Sequence, residues 1–398
     1  MSTHGGLHLP DAPTVGARLR SLVAVFDPVL VLAVLGLATC SLVAVGQGTA
    51  DDVAGDPTYF LKRQLIYFLV GGALALTIWR LDYSRLREIR HLIYGALIVS
   101  ILAITAFGSV ARGSRRAIDL PFFSFQASEL GKILLVVSLS AFMTDRARRL
   151  QEGRTTARIM MFALIPAGLV MLQPDLGSAL VYIVIGLATL FVAGTSLRHF
   201  AAIGAIGVLV VTLTLVVFPA AGVNALHSYQ KDRLTAFLHP SDTASKEGYQ
   251  QNQSRIAIGA GEKTGRGDRA TQTKLNFLPE HHTDFVFAVV GERWGFMGAA
   301  TVLSLYALLI WRGLRILTFA KNLYGSLVAG GIVAMLLFQV FVNAGMNVGI
   351  MPITGIPLPL MSYGGSSIIS TMIAVGLLQS IYAQGRVAAA SKGRVLTF

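Results

Sequence analysis

The chain has 398 residues, of which 54% are hydrophobic and only 13% are charged, against roughly 25% charged residues in a soluble domain. This composition excludes a water-soluble enzyme, which needs a polar surface, and a disordered chain, which is poor in apolar residues. The net charge of +13 therefore indicates the topology of a polytopic membrane protein rather than a nucleic-acid partner.

Ten apolar segments approach the length of about 20 residues that a helix needs to cross a bilayer. They lie at 28–46, 64–80, 91–109, 128–144, 158–173, 176–194, 200–220, 285–311, 323–350 and 366–384. These runs are too long for the strands of a membrane barrel, and they do not alternate as such strands do. The sequence predicts an all-α fold, with one ten-helix membrane domain at 28–384 and tails at 1–27 and 385–398.

Basic residues are concentrated on one side of this domain. The connections after the second and fourth segments alone carry Arg80, Arg85, Arg87, Arg90, Arg146, Arg148, Arg149, Arg154 and Arg158. Cytoplasmic loops carry an excess of Lys and Arg, so these connections and both tails are predicted to be cytoplasmic. The opposite side is nearly neutral and holds long connections at 109–132, 221–284 and 351–366, where a membrane enzyme would have its site.

The first outer connection contains two adjacent arginines, Arg115 and Arg116, which oppose the positive-inside bias. Because a guanidinium group can bind phosphate through two hydrogen bonds, they indicate a phosphate-bearing ligand at the membrane surface. Glu129 and Lys132 follow, three residues apart on one face of the next helix. The alternative is that the arginines contact lipid head groups and that Glu129 and Lys132 form a local ion pair.

A polar interruption, QPDLGS at 173–178, divides the apolar run from 158 to 194. Pro174 breaks one helix, and Asp175 can cap the next. A carboxylate at this depth in the membrane is also a functional candidate, so both roles stay open for Asp175.

Asp284 stands where the polar loop 221–284 gives way to an apolar helix. Partial desolvation there would suit a carboxylate to act as a general base. The structural alternative is that Thr283 or Asp284 caps this helix. His281 and His282 are adjacent, which is not the spacing of a zinc motif, so no metal ligands are predicted.

The third outer connection, PITGIPLPLMSYGGS at 352–366, combines three prolines with a Gly-Gly pair. Backbone of this kind at membrane depth needs protein or water around it, which indicates a re-entrant or cavity-lining loop. Ser362 within it has no surrounding motif that resembles a nucleophile elbow.

These residues lie in three blocks that make the chain similar to the shape, elongation, division and sporulation (SEDS) family. The blocks are GSRRAIDLPFFSFQASELGK at 113–132, the segment from RLTAFLHP to VVGE at 233–292, and NVGIMPITGIPLPLMSYGGSS at 347–367. The last block resembles the elongation branch of the family more than its division branch. Two positions depart from the family pattern, Ala117 in place of an aromatic residue and Arg293 in place of a second acid.

The resemblance implies ten transmembrane helices with both termini cytoplasmic, and an enzyme of the bacterial cytoplasmic membrane that polymerises lipid II into glycan strands at the outer face. Asp284, in the family's HTDF-type motif, is the implied catalytic base. The implied substrate-binding residues are Arg115, Arg116, Glu129, Lys132, Asp175, Arg233, Gln250, Ser254, Glu280, His282, Thr283 and Ser362. The implied partners are lipid II, a class B penicillin-binding protein with transpeptidase activity, the elongation machinery and membrane lipids, without nucleic acid.

This chemistry needs one base and several cations. The donor sugar leaves a polyprenyl pyrophosphate whose growing charge cations stabilise, while a carboxylate removes the proton of the acceptor hydroxyl. A divalent cation, Mg²⁺ or Mn²⁺, at the pyrophosphate is compatible with this chemistry, although no motif specifies it.

Two other functions stay open. One is a lipid II flippase, whose path Gln339, Asn343 and Asn347 would line, although such residues also form hydrogen bonds between helices. The other is a non-catalytic activator of the transpeptidase.

Overall fold

The structure, a computed structural model, describes the backbone of residues 26–111, 114–119, 123–221, 233, 246–274, 277–279 and 281–391. The helices are α1 (Pro28–Gly48), α2 (Tyr59–Arg80), α3 (Arg90–Phe107), α4 (Ala127–Asp145), α5 (Gly153–Met171), α6 (Leu176–Val192), α7 (Leu197–Ala220), α8 (Lys246–Ala260), α9 (Val286–Phe319), α10 (Leu323–Val348) and α11 (Gly365–Ser391).

The predicted helical membrane fold is confirmed over the described residues. All ten apolar segments form helices, and nine of these helices are long and apolar enough to cross a membrane. The tenth, α6, has 17 residues and falls below that length. Helix ends differ most at α9, which ends at Phe319 rather than 311, and at α11, which ends at Ser391 rather than 384. The apolar runs stop at polar residues, whereas the backbone hydrogen bonding of a helix continues through them.

The centre of the bundle is formed by α4, α10 and α11, whose apolar spans are mostly buried. Helix α2 packs along α11, and α9 packs against both α1 and α10. Helix α6 packs against α5 and α10. By contrast, no part of the apolar span of α7 is buried against the described residues.

A buried ion pair joins three helices at one end of the bundle. Asp27 caps α1 by accepting hydrogen bonds from the backbone N–H groups of Val29 and Leu30. Its other carboxylate oxygen lies 2.6 Å from Nε of Arg312, on α9. Gln379, on α11, donates to the Asp27 carbonyl and accepts from its N–H group. Each charge is therefore compensated by protein.

A small antiparallel sheet lies between α3 and α4 and adds to the predicted all-α architecture. Its strands are β1 (Ser109–Ala111), β2 (Ser114–Asp119) and β3 (Ser124–Phe125), in the order β1-β2-β3. The sheet is tied to the start of α11, because the Ser366 hydroxyl donates to the Ser124 carbonyl and accepts from the N–H group of Gln126.

Helix α9 is kinked at Gly295, whose φ of 64° lies in the left-handed region. The turn 261–266 after α8 fits into this kink. The carbonyls of Glu262 and Lys263 accept hydrogen bonds from the N–H groups of Phe296 and Met297, so the backbone donors at the kink are satisfied. This contact fixes the turn 261–266 against the kink of α9, the helix that begins just after Asp284.

Candidate active site

Asp284 lies in the turn immediately before α9, with a half-buried side chain. The N-cap residue of α9 is Phe285, whose side chain makes no capping hydrogen bond. Neither Thr283 nor Asp284 is therefore the cap, and the capping interpretation is wrong.

Two asparagines of α10 hold the backbone at this point. Nδ2 of Asn343 and Nδ2 of Asn347 donate to the Asp284 carbonyl, at 3.0 and 3.1 Å. Oδ1 of Asn347 accepts from the N–H group of Ala288 at 3.1 Å, in the first turn of α9. Both asparagines are fully buried, so they position Asp284 against the bundle and do not line a lipid path.

The residues before Asp284 are fixed by the third outer connection. The Ser362 hydroxyl donates to the Thr283 carbonyl at 2.6 Å and accepts from the N–H group of Leu358. The N–H group of Tyr363 donates to the His282 carbonyl at 2.8 Å. Burial and the Tyr67 hydroxyl raise the pKa of the Tyr363 phenol, which stays neutral at physiological pH. Ser362 thus has an internal bonding role in addition to its predicted place at the substrate.

Arg233 comes to the same point from the long loop. Its Nη1 donates to the Thr354 carbonyl at 3.1 Å. Nη2 of Arg233 and Oδ2 of Asp284 each lie 3.8 Å from the position that a Cβ on Gly355 would take. A cation and a carboxylate therefore flank one glycine, and a Cβ at this position would be in van der Waals contact with both.

Asp175 and its neighbours form a second polar cluster. Asp175 caps α6 through the N–H group of Ser178, as predicted. Its other oxygen accepts from Nε2 of Gln126 at 3.2 Å and from the Ser128 hydroxyl at 3.1 Å. Its carboxylate is therefore bonded to both the helix start and the residues that precede and begin α4.

Glu129 and Lys132 pair with each other on α4. Their side chains are 2.7 Å apart and each is only 3% exposed. The local ion pair that the sequence offered as an alternative is present, and it is buried rather than at the surface.

Both clusters border the 354–356 backbone. A Cβ on Gly177, in the first turn of α6, would lie 2.7 Å from the Thr354 carbonyl oxygen and 2.7 Å from the Ile356 side chain. The same Thr354 carbonyl accepts from Arg233. The loop at 354–356 therefore connects the region of Asp175 with the region of Asp284.

Helix α8 supports this loop from the other side. The Ser254 hydroxyl donates to the Asn347 carbonyl at 2.9 Å, and Nε2 of Gln251 donates to the Met351 carbonyl at 3.0 Å. Gln250 is buried as well. Ser254 is thus bonded to Asn347, which in turn holds the Asp284 backbone.

The remaining predicted residues are placed only in part. Arg115 and Arg116 lie on β2, where Arg115 pairs with Val110, and their side chains lie outside the described part of the chain. Glu280 also lies outside it.

Asp52 was missed by the sequence analysis. It lies in the α1–α2 connection, with Oδ2 at 3.1 Å from Nε2 of His281. The two residues are far apart in the chain, so no local spacing could have joined them.

Known proteins resemble this chain in sequence. Residues 23–387 match the model of the FtsW, RodA and SpoVE family, described as a cell cycle protein. Peptidoglycan glycosyltransferase MrdB of Escherichia coli (strain K12) is 35% identical over 357 residues, which cover 89% of this chain and 93% of the relative. A probable peptidoglycan glycosyltransferase FtsW of Thioalkalivibrio sulfidiphilus is 37% identical over 358 residues, which cover 88% and 87%.

Solved structures share the fold. The rod shape determining protein RodA of Thermus thermophilus is 29% identical and superimposes with a TM-score of 0.65, covering 90% of this chain and 96% of that one. A structure described as "Structural coordination of polymerization and crosslinking by a peptidoglycan synthase complex" gives a TM-score of 0.74 at 30% identity, covering 90% of this chain and 98% of that one.

Proposed function

The chain belongs to the family of FtsW, RodA and SpoVE and is a peptidoglycan glycosyltransferase, and from this premise we propose that Asp284 is its general base. The observation that carries the proposal is the placement of the Asp284 carboxylate and the Arg233 guanidinium around Gly355. A base and a cation on either side of one glycine are the two groups that glycosyl transfer from a pyrophosphate requires.

The substrate we propose is lipid II, at the outer face of the cytoplasmic membrane. Asp284 takes the proton of the acceptor hydroxyl as that oxygen attacks the anomeric carbon of the donor sugar. Arg233, with Arg115, Arg116 and Lys132, stabilises the charge that develops on the leaving pyrophosphate. No second carboxylate is needed to protonate this leaving group, unlike in a glycosidase.

A magnesium or manganese ion would be held at this site mainly by the substrate. The described residues around Gly355 offer one carboxylate, that of Asp284. A single protein carboxylate fits an ion that is otherwise coordinated by phosphate oxygens and water. Such an ion would supply further charge neutralisation at the pyrophosphate, while Asp284 and Arg233 keep their roles.

The orientation we propose has both termini in the cytoplasm, which agrees with the arginine-rich connections that follow α2 and α4. Asp284 lies just before the start of α9, and Arg312 lies near the other end of this helix. The proposed site and the arginine-rich connections are therefore at opposite ends of the bundle, as an enzyme acting at the outer face requires.

The cellular role we propose is in elongation, with a class B penicillin-binding protein as partner. The support is the 352–366 block, together with relatives named MrdB and RodA. The test is expression of this chain in E. coli strains depleted of MrdB or of FtsW. Rescue of rod shape without rescue of division is expected, and the reverse pattern would assign the chain to division.

Asp284→Asn tests the catalytic proposal. The amide is almost isosteric but cannot accept the proton, so glycan polymerisation from purified lipid II should fall by about 10²- to 10⁴-fold. The assay measures strand formation by the full chain in liposomes, with and without a class B partner.

The matched control is Asp268→Asn, which removes a 98% exposed carboxylate of the same outer segment whose ion-pair partner, Arg293, lies 3.9 Å away. It should polymerise normally. Near-normal polymerisation by Asp284→Asn would reject the base assignment, and lipid translocation without polymerisation by the unaltered chain would favour a flippase.

A further inference from the structure

Three potential metal ligands from two distant parts of the chain meet beside the turn that carries Asp284. They are Asp52 in the α1–α2 connection, His281 and His282, and their ligand atoms all lie within 4.8 Å of one another. We propose that these side chains bind a divalent transition-metal ion, with zinc as the best match. This site is separate from the substrate-borne magnesium or manganese proposed above, and metal binding here does not depend on the proposed activity.

The hydrogen bonds of His281 are the first argument. Nδ1 lies 2.8 Å from the Leu278 carbonyl oxygen, which can only accept, so Nδ1 carries the proton. In the neutral imidazole, Nε2 then has a lone pair and no proton. Yet Nε2 faces the Asp52 carboxylate at 3.1 Å, which also has only lone pairs. A cation is required between two such acceptors, and it is either a proton or a metal ion.

The arrangement is that of a typical metal-bound histidine. Metal-ligating imidazoles commonly donate their second ring N–H to a carbonyl or carboxylate, which fixes the tautomer and the ring orientation. The Leu278 carbonyl has this position on His281. Because His281 is almost fully buried, its Nε2 is held in place before any ion binds.

The third ligand distinguishes a metal ion from a proton. A proton would be shared by His281 and Asp52 alone, whereas His282 brings a second imidazole to the same place. The two ring centroids are 5.2 Å apart, and the ring planes are inclined by 77°. The two adjacent imidazoles are therefore oriented differently. The Phe60 and Tyr363 rings, at 5.0 and 5.8 Å, fix the ring of His282.

The ligand set selects the ion. Two imidazole nitrogens and one carboxylate match zinc, which is bound at about 2.0–2.2 Å by both atom types. Magnesium and calcium prefer sets composed of oxygen. In tetrahedral coordination with such bonds, two ligand atoms are about 3.3 Å apart, close to the 3.1 Å between His281 and Asp52. The ligand atoms all lie within 4.8 Å of one another, so binding needs only short side-chain movements to bring every pair to this separation.

Three protein ligands leave one coordination position for water, as in other open zinc sites. The bound ion would join the α1–α2 connection to the turn before α9. Since His282 is two residues before Asp284, the ion would restrict the motion of the catalytic turn.

The test uses the full chain, purified in detergent through an affinity tag without histidine and stripped of metal with EDTA. Zinc is titrated by calorimetry, and bound zinc is measured by mass spectrometry of the elements after dialysis. One zinc ion per chain is expected, together with a zinc-dependent rise in Tm that excess magnesium does not produce.

Asp52→Asn and His281→Gln should each weaken zinc binding about tenfold or more. Asp51→Asn is the matched control, because it removes the neighbouring acid of the same connection and should bind zinc like the unaltered chain. Metal-free melting curves report whether each variant is folded.

Absence of stoichiometric zinc and of a Tm shift in the unaltered chain would overturn the proposal, whatever the variants do. Equal zinc binding by Asp52→Asn, His281→Gln and the unaltered chain would also overturn it. Neither result bears on Asp284, whose role is measured by polymerisation, so the two proposals fail separately.

Discussion

At Asp284, the backbone is fixed by protein and the half-buried side chain lies beside Gly355. The carbonyl accepts hydrogen bonds from Asn343 and Asn347, and the preceding residue is held through Ser362. Every one of these bonds goes to backbone atoms, so they position the turn through its main chain. The sequence predicted Asp284 from its place between loop and helix. The sequence could not predict that Asn343 and Asn347 hold the Asp284 backbone. A polar helix face is compatible both with a lipid path and with hydrogen bonds between helices.

Variants of Glu129 and Lys132 can distinguish a role of this pair in substrate binding from a role in stabilising the fold. Glu129→Gln leaves a buried ammonium group without its partner and should destabilise the fold by about 3–5 kcal/mol. The double variant Glu129→Leu with Lys132→Met removes both charges and should recover most of this stability. Denaturation in detergent measures the free energy of unfolding, and polymerisation is measured on the folded variants.

If Lys132 contacts the pyrophosphate, the double variant should be stable but polymerise poorly. Full polymerisation by this stable double variant would show that the pair serves only the fold.

At the scale of elements, the outer loop and α9 depend on each other. The turn 261–266 supplies acceptors at the Gly295 kink, and the Glu292 carbonyl accepts from the N–H group of Arg266 at 2.8 Å. Apolar periodicity predicted α9 but neither the kink nor α8, because a polar helix inside a loop has no apolar run. The strands between α3 and α4 were missed for the same reason: they are short and have no long alternating pattern.

Gly265→Ala tests this dependence. Gly265 has φ of 84°, and a Cβ there would lie 2.1 Å from the Arg293 carbonyl oxygen. The turn must therefore move away from α9, and both polymerisation and Tm should decrease. Limited proteolysis of the outer loop measures its release.

Gly259→Ala is the control for this variant. It lies on α8 with no atom within 4 Å of the added Cβ, and it should be neutral or stabilise α8 by up to about 1 kcal/mol. Equal loop protection in the two alanine variants would contradict the proposed coupling.

At the scale of the whole molecule, the two ends of the bundle are stabilised differently. The end opposite Asp284 has the Asp27–Arg312 ion pair and Gln379, which together connect α1, α9 and α11. The end near Asp284 combines backbone-directed bonds among loops with side-chain contacts such as Glu129–Lys132 and Asp175–Ser128. Hydropathy predicted which segments cross the membrane, but contacts between Asp27 and Gln379 or between Asp52 and His281 arise only when distant helices pack.

Asp27→Asn should destabilise the whole fold, because it leaves Arg312 buried without a compensating charge. The expected loss is about 3–5 kcal/mol in the free energy of unfolding, measured by denaturation in detergent. Asp56→Asn, which breaks the solvent-exposed pair with Lys62, is the matched control and should leave unfolding unchanged. Equal stability of the two variants would mean that the Asp27–Arg312 pair is not needed to hold the three helices together.

The isolation of α7 gives the lipid bilayer a direct influence on the enzyme. A helix that buries none of its apolar span against the described protein has its tilt set by the match between its length and the hydrocarbon thickness. The tilt of α7 therefore depends in part on membrane thickness, a property that varies with acyl-chain composition and belongs to the cell rather than to the polypeptide.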